Sequence, residues 1–281
     1  MTVDTGFQRP ARDHSSGDPV LAVRSLRKVY DTTGRTVEAI RDLTFSVGDG
    51  EFACIVGPSG AGKTTLLKCV AGLMRPTSGA VELDGNGYSS PPEGMAVVFQ
   101  EYGRSLLPWM TVAQNVELPL KAKKIERRQR EHIVNESLAA VGLENAKDAH
   151  PWQLSGGMQQ RAAIARAVAY EPRILIMDEP FAAVDAQTRA DLEDLVYSLS
   201  HRRGFTVLFV THDIDEAVYL GAKVLVMTSS PSVILEEVTI DLPPERTQLE
   251  TRMMPRFLEL RHHVYELVQL AKSGPHLKEI S

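Results

Sequence analysis

The chain has 281 residues, a formal net charge of −5, 43% hydrophobic and 24% charged residues, ordinary globular usage that excludes wholesale disorder and fibrous proteins. Its mildly acidic balance lacks the clustered basic excess of a dedicated nucleic-acid binder, so no nucleic-acid partner is expected. No apolar run reaches about eighteen residues, the length that spans a bilayer.

The start is polar, with Asp4, Arg9, Arg12, Asp13 and Ser15, and has no secretory apolar stretch. This predicts a flexible leader over residues 1–20 of a protein that stays in the cytosol. From Leu21 to Val47 the apolar residues Leu21, Val23, Val37, Ala39, Leu43, Phe45 and Val47 alternate with polar ones and predict antiparallel sheet. The continuous apolar runs Phe52 to Val56, Ile174 to Met177, Val207 to Val210 and Val224 to Met227 predict parallel strands buried on both faces. Helical stretches between them, such as Lys63 to Leu73 and Asp191 to Leu199, predict an α/β domain with crossover helices. Cys54 and Cys69 fall inside a predicted strand and helix, away from any metal-ligand spacing, and read as small core residues.

Between about residues 106 and 169 the strand signal disappears. Val134, Leu138 and Val141 recur at helical spacing and Gly142 can end their helix, so a helical subdomain is expected within the sheet domain. The charged stretch from Lys121 to Glu131, interrupted by Glu126, predicts a solvated helix face. Phe257, Leu260, Val264, Leu267 and Val268 predict a helical extension over 243–281, too short for an independent regulatory domain.

Three short motifs carry chemistry. Gly57, Pro58, Ser59, Gly60, Ala61, Gly62, Lys63 and Thr64 fit G-x-x-x-x-G-K-[ST] between a predicted strand and a helix, the context of a phosphate loop. Successive backbone N–H groups and the helix N-terminus favour phosphate there; Lys63 reaches the β and γ oxygens and Thr64 can ligate Mg²⁺. The run Arg173 to Met177 delivers Asp178 and Glu179 at its C-terminal end, where open α/β sheets bind ligands. Asp178 would hold Mg²⁺ through its water shell, and Glu179 would accept a proton from the attacking water or orient it. In Leu154 to Arg161, LSGGMQQR, Ser155, Gly156 and Gly157 open a second helix with an anion-binding N-terminus, which a lone nucleotide site does not need.

Together the motifs resemble those of the ATP-binding cassette (ABC) ATPases, with LSGGMQQR a close match to their signature. The resemblance spans Leu21 to about Leu242 and implies an α/β fold: a P-loop NTPase parallel sheet core with an N-terminal antiparallel β subdomain and an inserted α-helical subdomain. It implies that Tyr30 stacks on adenine, that Gln100 meets Mg²⁺ and the attacking water and senses a membrane subunit, and that His212 contacts the γ-phosphate. Asp185 would lie in a loop that crosses between protomers. Each ATP would sit between residues 57–65 of one chain, Thr65 included, and Ser155 to Gly157 of another, in a head-to-tail homodimer.

The segment from Glu101 to Ser105 is longer than the commonest family spacing, and Ala182 stands where Ser or Gly is frequent. Leu106, Leu107, Pro108 and Trp109, with Asp241, Leu242 and Pro243 near the end, look like the importer subunits for nitrate, sulfonates and taurine. That implies a peripheral subunit on the cytoplasmic face of the inner membrane, with a transmembrane permease as partner and, indirectly, an extracytoplasmic solute-binding protein. The alternative is a cassette acting as an ATP-driven switch in DNA repair or translation; no heptad run and no second signature accompany it here. A small-molecule kinase would leave LSGGMQQR unexplained.

Overall fold

The computed structural model describes residues 19–32, 34–100 and 105–272. Most of the expected leader, residues 1–18, lies outside them, as do Glu101 to Arg104 of the longer segment and residues 273–281. No described helix is long and apolar enough to cross a membrane.

The antiparallel part is built from β1 (Leu21–Thr32), β2 (Arg35–Val47), β4 (Ser78–Leu83) and the short β5 (Asn86–Gly87). The parallel part comprises β3 (Phe52–Val56), β6 (Met95–Val98), β7 (Ile174–Asp178), β8 (Thr206–Val210) and β9 (Lys223–Met227). One further strand, β10 (Ser232–Thr239), runs antiparallel to β9 and pairs with β2, joining both parts into one ten-stranded sheet of order β5-β4-β1-β2-β10-β9-β3-β8-β7-β6. The sequence reading had no strand at β10, because Glu236 and Glu237 interrupt its apolar alternation.

Every residue of β3, β7 and β8 is buried, which accounts for their unbroken apolar runs. The period of two then sorts them between two cores. Phe52, Cys54, Val56, Leu175, Met177, Val207 and Phe209 face one, while Ala53, Ile55, Ile174, Ile176, Leu208 and Val210 face the other. In β2 the outer half alternates instead, with Leu43, Phe45 and Val47 buried and Thr44 and Ser46 exposed.

Helix α1 (Lys63–Val70) follows β3 and is shorter than the expected Lys63 to Leu73. Between β6 and β7 lie α2 (Val112–Ala122), α3 (Arg127–Ala140) and α4 (Gly156–Ala169), packed on one another through Val116, Leu120, Val134, Leu138 and Ile164. Gly142 ends α3 as expected: its N–H donates to Ala139 O and that of Leu143 to Leu138 O, the paired bonds of a Schellman motif. The charged stretch covers the turn from α2 to α3 rather than one helix face. It is largely exposed, with Glu117 held by Lys121 (2.7 Å) and Arg130 (2.8 Å).

Helix α5 (Ala186–Arg203) precedes β8, and α6 (Ile214–Leu220) leads into β9. The last described elements are α7 (Gln248–Met253) and α8 (Pro255–Lys272). Phe257, Leu260, Val264 and Leu267 on α8 are buried in the same core as Phe52, Cys54 and Val224, so the extension is packed onto the sheet domain. The two thiols are 0% and 2% exposed, and burial pushes both above the ordinary cysteine range, away from the reactive thiolate.

Candidate nucleotide site

The loop from Gly57 to Gly62 leaves the buried end of β3 and turns into α1 through Gly62, whose φ of +83° is the left-handed region where a side chain is strained. No side chain caps this N-terminus and its first turn carries no acid, so its free N–H groups and partial positive charge face outward for an anion. Lys63 is 8% exposed and donates to Gly57 O (2.9 Å) and Pro58 O (3.2 Å), curling the loop around its ammonium. Burial lowers its pKa, while Glu179 and Asp178 push it back up.

Strand β7 delivers Asp178 beside this loop. The carboxylate is 7% exposed and accepts a hydrogen bond from Thr64; burial and the neighbouring Glu179 raise its pKa, and Thr64, Lys63 and Lys68 oppose them. Glu179 follows with φ +43°, its N–H held by Val210 O (2.8 Å). That turn sends its carboxylate to meet two groups from distant segments. Gln100 Nε2 donates to Glu179 Oε2 (3.4 Å), and His212 Nδ1 stands 3.3 Å from the same oxygen. Tyr30, half-buried at the end of β1, shares a 3.1 Å hydrogen bond with the hydroxyl of Thr65.

The remaining candidates form a second group. Ser155 caps α4, its Oγ accepting from Met158 N (3.3 Å), with no acid in the first turn. Gly157 lies so close to α5 that a Cβ there would stand 2.5 Å from Thr188 Cγ2. Thr188 in turn donates from its hydroxyl (2.7 Å) and its N–H (3.0 Å) to Asp185, the cap of α5, which holds that carboxylate below its ordinary pKa. Thr188, the link between these two turns, was not singled out from sequence; the only local signal was its place three residues after a capping Asp. Among the described residues no hydrogen bond joins Ser155, Gly156 or Gly157 to residues 57–65.

The donor chemistry fits a magnesium nucleotide. Thr64 and Asp178 offer hard oxygen donors side by side, and Mg²⁺ characteristically takes one or two such groups and completes its shell with phosphate and water. An uncapped helix N-terminus with a buried lysine suits the phosphates.

The ABC transporter family profile matches residues 40–182, half of the chain. The chain belongs to the ABC transporter family. It is similar to the nitrate import ATP-binding protein NrtD of Synechocystis sp., 39% identical over 89% of this chain and 95% of that protein. The bicarbonate transport ATP-binding protein CmpD of Synechococcus elongatus is also 39% identical, over 93% of this chain and 95% of its own. Among solved structures, a dimeric ATP-binding cassette in a post-hydrolysis state with ADP and Pi superposes with a TM-score of 0.70 at 32% identity, over 78% of this chain and 98% of that one. The α/β cassette fold is therefore as expected, and the cassette binds and hydrolyses ATP as an ABC transporter subunit.

From their apolar side chains, Leu106, Leu107, Pro108 and Trp109 are expected to present one exposed apolar face, and that expectation needs correction. Leu106 is 1% exposed and belongs to the core that also holds Val116 and Leu120 of α2, because an apolar side chain there is better buried than presented to water. Only Pro108 and Trp109 are exposed, Trp109 at 70%.

Proposed function

We propose that the cassette energises an importer for a small anion, as a head-to-tail homodimer on the cytoplasmic face of a transmembrane permease fed by an extracytoplasmic solute-binding protein. The observation that carries the catalytic part is the convergence of Gln100 and His212 on one oxygen of Glu179, next to the Asp178 and Thr64 pair. Lys63, released from Gly57 O and Pro58 O, binds the β and γ phosphate oxygens; Tyr30 packs on the base. Thr64, Asp178 and Gln100 would hold Mg²⁺, which would supply charge neutralisation for the phosphates. Glu179 takes the proton of the attacking water, Gln100 and His212 hold its carboxylate in line, and His212 contacts the γ-phosphate.

Ser155, Gly156 and Gly157 make no hydrogen bond to the phosphate loop of their own chain, which supports their closing the site of a second copy. Asp185 lies beside them at that surface. ATP favours the closed pair over its products, and that difference drives the permease. The working unit spans 21–242, with a helical subdomain of about 106–169 and the extension from 243 packed on its core. A solute of the nitrate kind is supported by relatives whose names give nitrate and bicarbonate, both small monovalent anions. The test is co-purification of the permease with this chain, followed by ATPase stimulation by solute and binding protein. Stimulation by nitrate, bicarbonate or a sulfonate, the zwitterion taurine included, is expected; stimulation only by a solute without an anionic group would overturn the anion reading.

A further inference from the structure

His212 stands between two residues that are each fixed by other parts of the fold. Thr211 is 1% exposed, and its hydroxyl donates to Glu216 (2.5 Å) and accepts from Asp213 N (2.9 Å). Asp213 caps α6, accepting from the N–H groups of Asp215 (2.8 Å) and Glu216 (3.2 Å). Glu216 is itself 4% exposed, a buried acid that the hydrolysis steps do not use.

The cation that faces both acids comes from another element. Arg189 of α5 reaches Asp213 with Nη1 (3.4 Å) and stands 3.7 Å from Glu216 with Nε. Its N–H donates to Asp185 O, so this one residue is anchored in the Asp185 turn and aimed at the His212 loop. Arg189 Nε is buried without a hydrogen-bond partner. A charge-assisted bond would be roughly 2.8 Å long, so a relative shift of about 1 Å completes the pair.

We propose that Arg189 and Glu216 are positioning residues that hold the His212 loop in register with the Asp185 turn, the pair tightening when the site closes. The inference rests on the reading of Glu179, His212 and Asp185 given above and names a control within that same site. The surface through which a second copy arrives, beside Asp185, is thereby joined to the group that contacts the γ-phosphate. Other charged groups that act on Glu216 are Asp213 on its own loop and Glu193 of α5; Glu193 is paired with Arg252 of α7 (2.7 Å). Burial holds the Glu216 carboxyl high, so the charge that Arg189 needs is kept at a cost to the fold.

The test uses the purified full chain with MgATP at pH 8 and four variants: Glu216→Gln, Arg189→Met, their combination, and Arg189→Lys. Each single change to Gln or Met is expected to lower kcat about tenfold with KM for ATP within about twofold, since the phosphate loop is untouched. The combination should be no slower than either single variant, and Arg189→Lys should recover part of the rate. Glu216→Gln should keep or raise Tm at pH 8, which separates positioning from a packing role, where rate and Tm fall together. Unchanged kcat in Glu216→Gln, multiplying losses in the combination, or a rate loss that follows Tm would each overturn the proposal. Lys63→Ala is measured alongside: if it still hydrolyses ATP, the reading of the site itself fails, whereas inactive Lys63→Ala with normal Glu216→Gln rejects only the positioning pair.

Discussion

Glu179 combines a left-handed backbone with a carboxylate shared between Gln100 and His212, a conformation that a residue bearing a side chain rarely adopts without a partner to hold it. The turn places the carboxylate, and Val210 O anchors the turn by accepting from the Glu179 backbone N–H. Glu179→Gln keeps the shape but removes the proton acceptor. Steady-state hydrolysis should fall about 10²- to 10⁴-fold, roughly 3 to 5 kcal/mol of barrier, while ATP binding survives and an ATP-bound dimer accumulates. Turnover near the wild-type rate would mean that another group activates water. A different residue sets a pH dependence of stability. Burial raises the Glu216 carboxyl from an ordinary 4.5 to about 7, so the folded chain holds this proton more tightly than the unfolded one. Its contribution is complete below about pH 4.5 and is lost as pH rises through 7, a slope worth roughly 3 kcal/mol. Urea midpoints from pH 5 to 8 should show Glu216→Gln gaining on the wild type as pH rises; a constant difference would contradict the raised pKa.

Two helix starts carry the proposed contacts with partners. At α4 the Ser155 hydroxyl caps the helix, so Ser155→Ala should cost about 1 kcal/mol of stability. Ser155→Arg adds bulk and charge where the partner's phosphates would lie. It should bind ATP as an isolated chain yet fail to dimerise with ATP in sedimentation on the Glu179→Gln background, and normal dimerisation would remove the head-to-tail arrangement. At α2 the buried Asn115 amide donates to Leu107 O, Met110 O and Thr111 O and its Oδ1 accepts from Leu107 N, so one side chain shapes the loop that carries Trp109. Trp109 is exposed at the tip, and a large exposed aromatic on a braced loop is suited to bury against another protein. Trp109→Ala should weaken permease pull-down and transport while leaving the isolated cassette's hydrolysis intact; unchanged assembly would place the contact elsewhere.

At the scale of the molecule, the helices after residue 247 close the core. Phe257 and Val264 are 2% and 0% exposed against the sheet, so Phe257→Ala should cost about 3 to 5 kcal/mol in chemical denaturation. An effect below about 1 kcal/mol would show the extension to be an appendage. The amphipathic spacing of α8 was legible in sequence because one helix face alternates every three to four residues whatever it packs on. The phosphate loop, LSGGMQQR and the Asp178–Glu179 turn were legible for a related reason: consecutive residues at a strand end or helix start build each of them, and local backbone physics positions their groups. The tertiary structure alone decided which of these pieces meet. It brings Gln100 to Glu179 across 79 positions, sets Thr188 against Gly157, aims Arg189 at Glu216, and uses β10 with its two glutamates to seam the antiparallel and parallel sheets. Those contacts depend on strand order and on helix faces packed across long loops, where a residue's own neighbours in sequence carry no record of what stands opposite.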